Sequence, residues 1–203
     1  IYKFCLPRGL MNYSLEILRN CTFCVELSAN RTNVVVGDGA IDNPKVVFVG
    51  EAPGKNEDIQ SKPFVGRSGQ VLRQVLDALG YSKDDYYITN VVKCRPPKNR
   101  DPKLEEAKNC FPYLKLQLEA MTPEVICSLG THATKYLISN GDFENISKRS
   151  ISASRGNLID IKLGDKEYKL FPTYHPAATI YNRSLRDTFV ADLKKLKEIY
   201  QPI

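Results

Sequence analysis

A chain of 203 residues that is 42% hydrophobic is long enough to bury a core of its own. With 26% charged residues, 12 glycines and 12 prolines it is not collagen, coiled coil or bulk disorder, and no apolar run approaches the ~18–20 residues that span a bilayer. The 29 Lys and Arg against 23 Asp and Glu leave a net +6, which permits a polyanionic partner without demanding one.

Helical and strand patterns alternate along the chain. Residues 12–24 read as a short helix capped by Ser14, with Leu15, Ile17 and Leu18 as its apolar stripe, ending at Cys21-Thr22-Phe23-Cys24. A polar stretch follows, then Lys45-Val46-Val47-Phe48-Val49-Gly50, a β-branched run that reads as a buried strand. Residues 50–66, dense in glycine, proline and charge, read as loop. From Gly66, Val71, Leu72, Val75, Leu76 and Leu79 fall at helical spacing, with Gly80 as the stop. Residues 86–92 form a second strand, and a proline-rich loop from Cys94 to Pro102 leads into a helix over 103–121. Residues 124–130 repeat the pattern of a strand closing on glycine, and a helix over 131–139 follows. Strand candidates at 158–163 and 168–171 flank Gly164-Asp165, and a basic amphipathic helix over 184–200 ends the chain. This alternation predicts one α/β domain over 1–203, three layers deep, with a mostly parallel sheet covered by helices on both faces. Residues 1–11 are an N-terminal extension of unknown role. The opening Ile1-Tyr2-Lys3-Phe4-Cys5-Leu6-Pro7 has no basic stretch followed by an apolar segment, so an intracellular, cytoplasmic setting is expected.

In such a setting cysteines are thiols rather than disulfide halves. The short turn between Cys21 and Cys24 aims both sulfurs the same way. With Cys94 and Cys110 they complete a possible four-thiolate set, which structural zinc and [4Fe–4S] both accept. Cys127 lies inside an apolar strand and reads as core; Cys5 has no evident partner.

Ligands of parallel sheets bind at the carboxyl ends of the strands. Four segments sit there: Gly50-Glu51-Ala52-Pro53-Gly54, Thr89-Asn90, Gly130-Thr131-His132, and Pro172-Thr173-Tyr174-His175-Pro176. The two histidines of the chain both fall in this set. Gly54-Lys55 does not make a phosphate loop. Gly50 and Gly54 enclose three residues where four are needed, and Asn56 stands where Ser or Thr is needed. Glu51, Glu57 and Asp58 crowd the same loop, where a catalytic or water-positioning role competes with that of a solvated acidic turn. Phe64 reads as a core staple or a stacking platform. Asn90, closing an apolar strand, either ties down a loop or reads a hydrogen-bonding edge.

Taken together, these blocks resemble the family-four uracil-DNA glycosylases, the iron–sulfur type. The match runs from about Leu15 to Leu196. Its markers are the C-x2-C at Cys21 and Cys24, GEAPG at 50–54 with Glu57, and KPFVGRSG at 62–69. ITNVVKCRPPKNRDP at 88–102, Cys110, SLG at 128–130 and PTYHPAA at 172–178 follow in order. The resemblance implies a three-layer α/β/α sandwich with a central four-stranded parallel sheet. It also implies a structural [4Fe–4S] cluster on Cys21, Cys24, Cys94 and Cys110, with zinc as the alternative metal.

The implied activity is DNA repair: uracil is flipped out of single- or double-stranded DNA and its N-glycosidic bond is hydrolysed, leaving an abasic site. The implied pocket is Glu51, Ala52, Glu57, Phe64, Asn90 and His175. Phe64 would stack on the base, and Asn90 would accept from uracil N3–H and donate to O4. His175 would donate to O2 and Glu51 would orient the attacking water, while Glu57 would crowd the C5 edge against thymine. Lys93, Arg95, Lys98, Arg100, Arg183 and Arg186 would hold phosphates, unless they form only a solvated basic face. A monomer with no membrane contact is expected. The competing class is a metal-stabilised nucleic-acid-binding module without catalysis. Val25 stands where relatives often carry proline, and Thr179-Ile180-Tyr181 where many carry leucine.

Overall fold

The computed structural model describes residues 16–148 and 150–200. Cys5, Ser14, Leu15 and the 1–11 extension therefore lie outside the described residues.

Six strands make one sheet: β1 (Asp38–Gly39), β2 (Val46–Gly50), β3 (Tyr86–Asn90), β4 (Val125–Leu129), β5 (Ile159–Leu163) and β6 (Lys166–Thr173). Their order is β1-β3-β2-β4-β6-β5. The strands β3, β2, β4 and β6 are mutually parallel, whereas β1 and β5 pair antiparallel at the edges. The four-stranded expectation is thus corrected to six. The parallel centre is as read, and two antiparallel edges extend it. Two residues of β1 are too few to leave a periodic signal, and β5 and β6 form the hairpin around Gly164.

Seven helices are assigned among the described residues: α1 (Val25–Asn30), α2 (Lys55–Gln60), α3 (Arg67–Ala78), α4 (Leu104–Met121), α5 (Thr131–Ile138), α6 (Ile151–Ser154) and α7 (Arg183–Tyr200). Every residue of β2, β3 and β4 is buried, which is why those runs are mostly apolar rather than alternating, Thr89, Asn90 and Ser128 being the buried polar exceptions. The period of two still sorts their side chains. Val47, Val49, Tyr87 and Ile126 pack against α4 and α5, through Phe111, Leu114, Leu118 and Leu137. Val46, Phe48, Ile88 and Cys127 face α3 and α7, through Leu72, Leu76, Phe189, Leu193 and Leu196. Cys127 is therefore core, as its setting predicts.

Two local readings change. Of the helix expected over 12–24, residues 12–15 lie outside the described residues and 16–19 are helical; the C-x2-C segment follows outside the helix, and α1 comes after it. The stretch 50–66 is not all loop. It contains α2, whose buried side chains are the carboxylates Glu57 and Asp58 rather than apolar groups, so no hydrophobic period announced it. No helix among the described residues is long and apolar enough to cross a membrane.

Candidate active site

Parallel pairing aligns the carboxyl ends: Gly50 is opposite Asn90, and Leu129 opposite Thr173. The segments leaving these ends meet. Val91 N–H and Val92 N–H donate to the carbonyls of Gly50 and Glu51, and Gly130 N–H donates to Thr173 O. Two glycines permit the close approach. A Cβ on Gly50 would collide with Asn90 Oδ1 and stand 2.6 Å from the Phe64 ring. Gly130 turns at φ +90°, and a Cβ there would lie 2.8 Å from His175 Cβ.

Asn90 is 2% exposed, and its Oδ1 has no hydrogen-bond partner. A buried acceptor left open is costly in a native fold. Phe64 lies beside it, with its ring centroid 5.8 Å from that of His175. Phe64 sits at φ +54°, a left-handed conformation that a bulky residue adopts only when its surroundings impose it. The restraints are visible. Glu57 Oε1 accepts from Gly66 N–H at 2.6 Å and Val65 N–H at 3.0 Å, and Arg73 donates to the carbonyls of Pro63 and Phe64, each at 3.0 Å. Arg73 is itself held by Asp38 at 2.9 Å. Asp58 likewise accepts from the backbone of Thr32 and Asn33. Glu57, expected at the C5 edge, uses its Oε1 to fix the Phe64 loop.

Glu51 follows β2, and Ala52 beside it is half-buried against the α4 side of the core. Burial pushes the Glu51 carboxyl up, opposed by His132 and reinforced by Asp101. Its Oε1 is buried without a hydrogen-bond partner, 3.8 Å from His132 Nδ1. Burial pulls His175 down to about 4, so its ring is neutral near pH 7. His175 Nδ1 accepts from Ala177 N–H at 3.2 Å, which leaves the ring proton on Nε2.

The four cysteines expected as ligands line one cavity, together with Leu27, Arg31 and Tyr113. Three donors point at their sulfurs: Arg31 Nη1 at 3.1 Å from Cys94 Sγ, Lys93 N–H at 3.3 Å from Cys110 Sγ, and Asn109 Nδ2 at 3.7 Å from Cys24 Sγ. Burial pushes the thiols of Cys24 and Cys94 up, and that of Cys110 to about 12. As they stand, no three His, Cys, Asp or Glu side chains among the described residues meet closely enough to hold a single metal ion.

The cations divide. Lys93 is fully buried, so its expected phosphate contact is corrected. Its ammonium donates to Thr89 Oγ1 and Gln117 Oε1 at 2.6 Å and to the carbonyl of Asn90 at 2.7 Å. Burial pulls its pKa down to about 7, while three acceptors are arranged for the three protons of the charged form. Arg100 is likewise committed, forked onto both Glu106 oxygens and 3.1 Å from Glu26. Arg95 donates to Asn99 Oδ1. Lys98, Arg183 and Arg186 are exposed, the two arginines on the opening turns of α7.

Three groups at this site carried no role in the sequence reading. His132 reaches toward Glu51; Arg73 props the Phe64 loop. Tyr181, 82% exposed, is clamped by Arg67, which stacks 5.0 Å from its ring centroid and donates to its hydroxyl. The only signal for His132 was its place two residues after the strand-end glycine Gly130.

Residues 36–198 match the family model of the uracil DNA glycosylase superfamily. The chain is 46% identical over 185 residues to a type-4 uracil-DNA glycosylase of Sulfurisphaera tokodaii, covering 91% of this chain and 82% of that protein. It is 45% identical over 190 residues to one from Thermotoga maritima, covering 93% of each. A third, from Archaeoglobus fulgidus, is 41% identical over 182 residues, covering 90% of this chain and 89% of its own.

Proposed function

The chain belongs to the uracil DNA glycosylase superfamily, and from that premise we propose how it removes uracil from DNA. The observation that carries the reading is the open, buried amide oxygen of Asn90 beside Phe64 and His175.

A glycosidic bond inside a duplex is out of reach, so the nucleotide is extruded, at a cost of a few kcal/mol that a single-stranded site largely avoids. Phe64, fixed by Glu57 and Arg73, recovers part of that by stacking, worth ~1–3 kcal/mol in comparable contacts. Asn90 accepts from uracil N3–H and donates to O4; cytosine presents the reverse pattern and is refused. As the bond breaks, negative charge gathers on uracil O2 and positive charge on the sugar. The neutral His175 ring, with its proton on Nε2, donates to O2 and stabilises that charge. Glu51 orients or deprotonates the water that attacks C1′, and its carboxylate stabilises the sugar cation. The products are free uracil and an abasic site.

Lys98, Arg183 and Arg186, all exposed, and the half-buried Arg95 remain candidates for phosphate contacts.

The cysteine cavity fits an iron–sulfur cluster. Burial raises the thiols of Cys24, Cys94 and Cys110, and N–H donors are already aimed at these three sulfurs, so their thiolates call for a cationic group among them such as an iron–sulfur cluster. Cys21, Cys24, Cys94 and Cys110 would hold it, and its contribution is structural. Bound to it, these four cysteines would join the segment before α1 to the loop after β3 and to α4.

The test is release of free base from oligonucleotides carrying uracil, thymine or cytosine. Uracil alone is expected to be released, leaving an alkali-labile site. Tight DNA binding without release would instead mark a binding module.

A further inference from the structure

His132 is the second histidine of the chain, and the chemistry above does not use it. It lies in the first turn of α5, directly after the glycine turn at Gly130 on which His175 packs. Its side chain is half exposed, with Nδ1 3.8 Å from Glu51 Oε1. That oxygen is buried and has no hydrogen-bond partner. A buried carboxylate oxygen without a donor favours the protonated acid, which is the wrong form for activating water.

We propose that His132 is a positioning residue for Glu51. It donates to Oε1 and so leaves the other carboxylate oxygen for the attacking water. A small rotation of a half-exposed ring closes the remaining gap, either as the imidazolium or as the neutral Nδ1–H tautomer. The inference rests on Glu51 acting on water.

The groups facing Glu51 are few. Besides His132, α5 brings Tyr136, whose ring centroid is 6.2 Å from that of His132, and the loop before α4 brings Asp101. Asp101 and burial both push the Glu51 carboxyl up; His132 alone opposes them. The sign of its removal follows. Without His132, Glu51 ionises at higher pH, so the acid limb of the rate profile moves upward.

The experiment is the single-turnover rate of uracil release against pH for the wild-type protein, His132→Ala, His132→Gln and Glu51→Gln. Melting temperature and visible absorbance serve as folding controls. His132→Ala should move the acid limb to higher pH and lower the plateau roughly threefold to tenfold, the scale of one hydrogen bond, with little change in half-saturating DNA concentration. His132→Gln, which can still donate, should recover most of the plateau. An unmoved acid limb in His132→Ala, with Glu51→Gln strongly impaired, would overturn the role of His132 and leave Glu51 standing. A full rate in Glu51→Gln would overturn the assignment of Glu51 to water, and this inference with it.

Discussion

The ammonium of Lys93 donates to the carbonyl of Asn90 at 2.7 Å, inside the protein and beneath the residue assigned to read the base. The same lysine presents its backbone N–H to Cys110 Sγ at 3.3 Å. It therefore links the cysteine cavity to the carboxyl end of β3, and through Gln117 and Thr89 to the backbone of Val36.

Replacing Lys93 with Met strands Asn90 O and Gln117 Oε1 without their donor. Unfolding should show a loss of at least about 1–3 kcal/mol, the scale for leaving one buried polar group unsatisfied. The salt dependence of DNA binding should not change. Arg186→Ala should do the reverse, keeping stability and lowering the slope of log K against log salt by about 0.9, the value for one phosphate contact on duplex DNA. A lowered slope in Lys93→Met with intact stability would return Lys93 to the DNA surface.

The cysteine cavity predicts a visible property. Protein prepared without oxygen should be brown, with about four irons per chain by metal analysis. Cys21→Ala should lose colour and thermal stability together, because one ligand holds the segment before α1 to the loop at Cys94. Colourless, zinc-loaded protein with full activity would contradict the cluster.

His175 should leave no mark on the pH profile above about pH 5. Its folded pKa, held at about 4 by burial, keeps it neutral there, so a neutral donor acts throughout the working range. The acid limb belongs to Glu51. Burial raises its carboxyl above the ordinary range, so activity present at neutral pH is lost as pH falls through that raised value. His175→Ala should lower the single-turnover rate by ~10²–10³, the scale for an oxyanion donor, across the whole profile and with DNA affinity little changed.

Much of this was legible in the chain because its cause was local. The runs at Val46–Val49 and Val125–Leu129 are apolar but for Ser128 because both sheet faces are covered, and Gly50 and Gly130 announce strand ends by breaking them. What escaped was set by tertiary contact. Helix α2 buries carboxylates, so in the sequence Glu57 and Asp58 stand between a solvated turn and a catalytic or water-positioning role, and nothing there announces their backbone partners at Val65, Gly66, Thr32 and Asn33. Lys93 and Arg100 belonged to a basic cluster in sequence, yet one is buried and the other paired with Glu106. Formal charge does not reveal where a side chain points. The edge strand β1 is held by the register of Asp38 and Gly39 against β3, which no pattern of two residues can encode.

The central claim is that Asn90 reads the base, and Asn90→Asp tests it most directly. The change removes the amide donor facing uracil O4 and puts a second acceptor there. Cytosine offers an N4 amino donor, and one proton shared between the carboxyl and N3 completes a pair. Free-base release from matched oligonucleotides carrying uracil or cytosine, across pH and in single-stranded or mispaired contexts, is the measurement. Uracil release should fall steeply, and weak cytosine release should emerge and strengthen as pH falls. Undiminished uracil release by Asn90→Asp would contradict the account and place the discriminating group elsewhere.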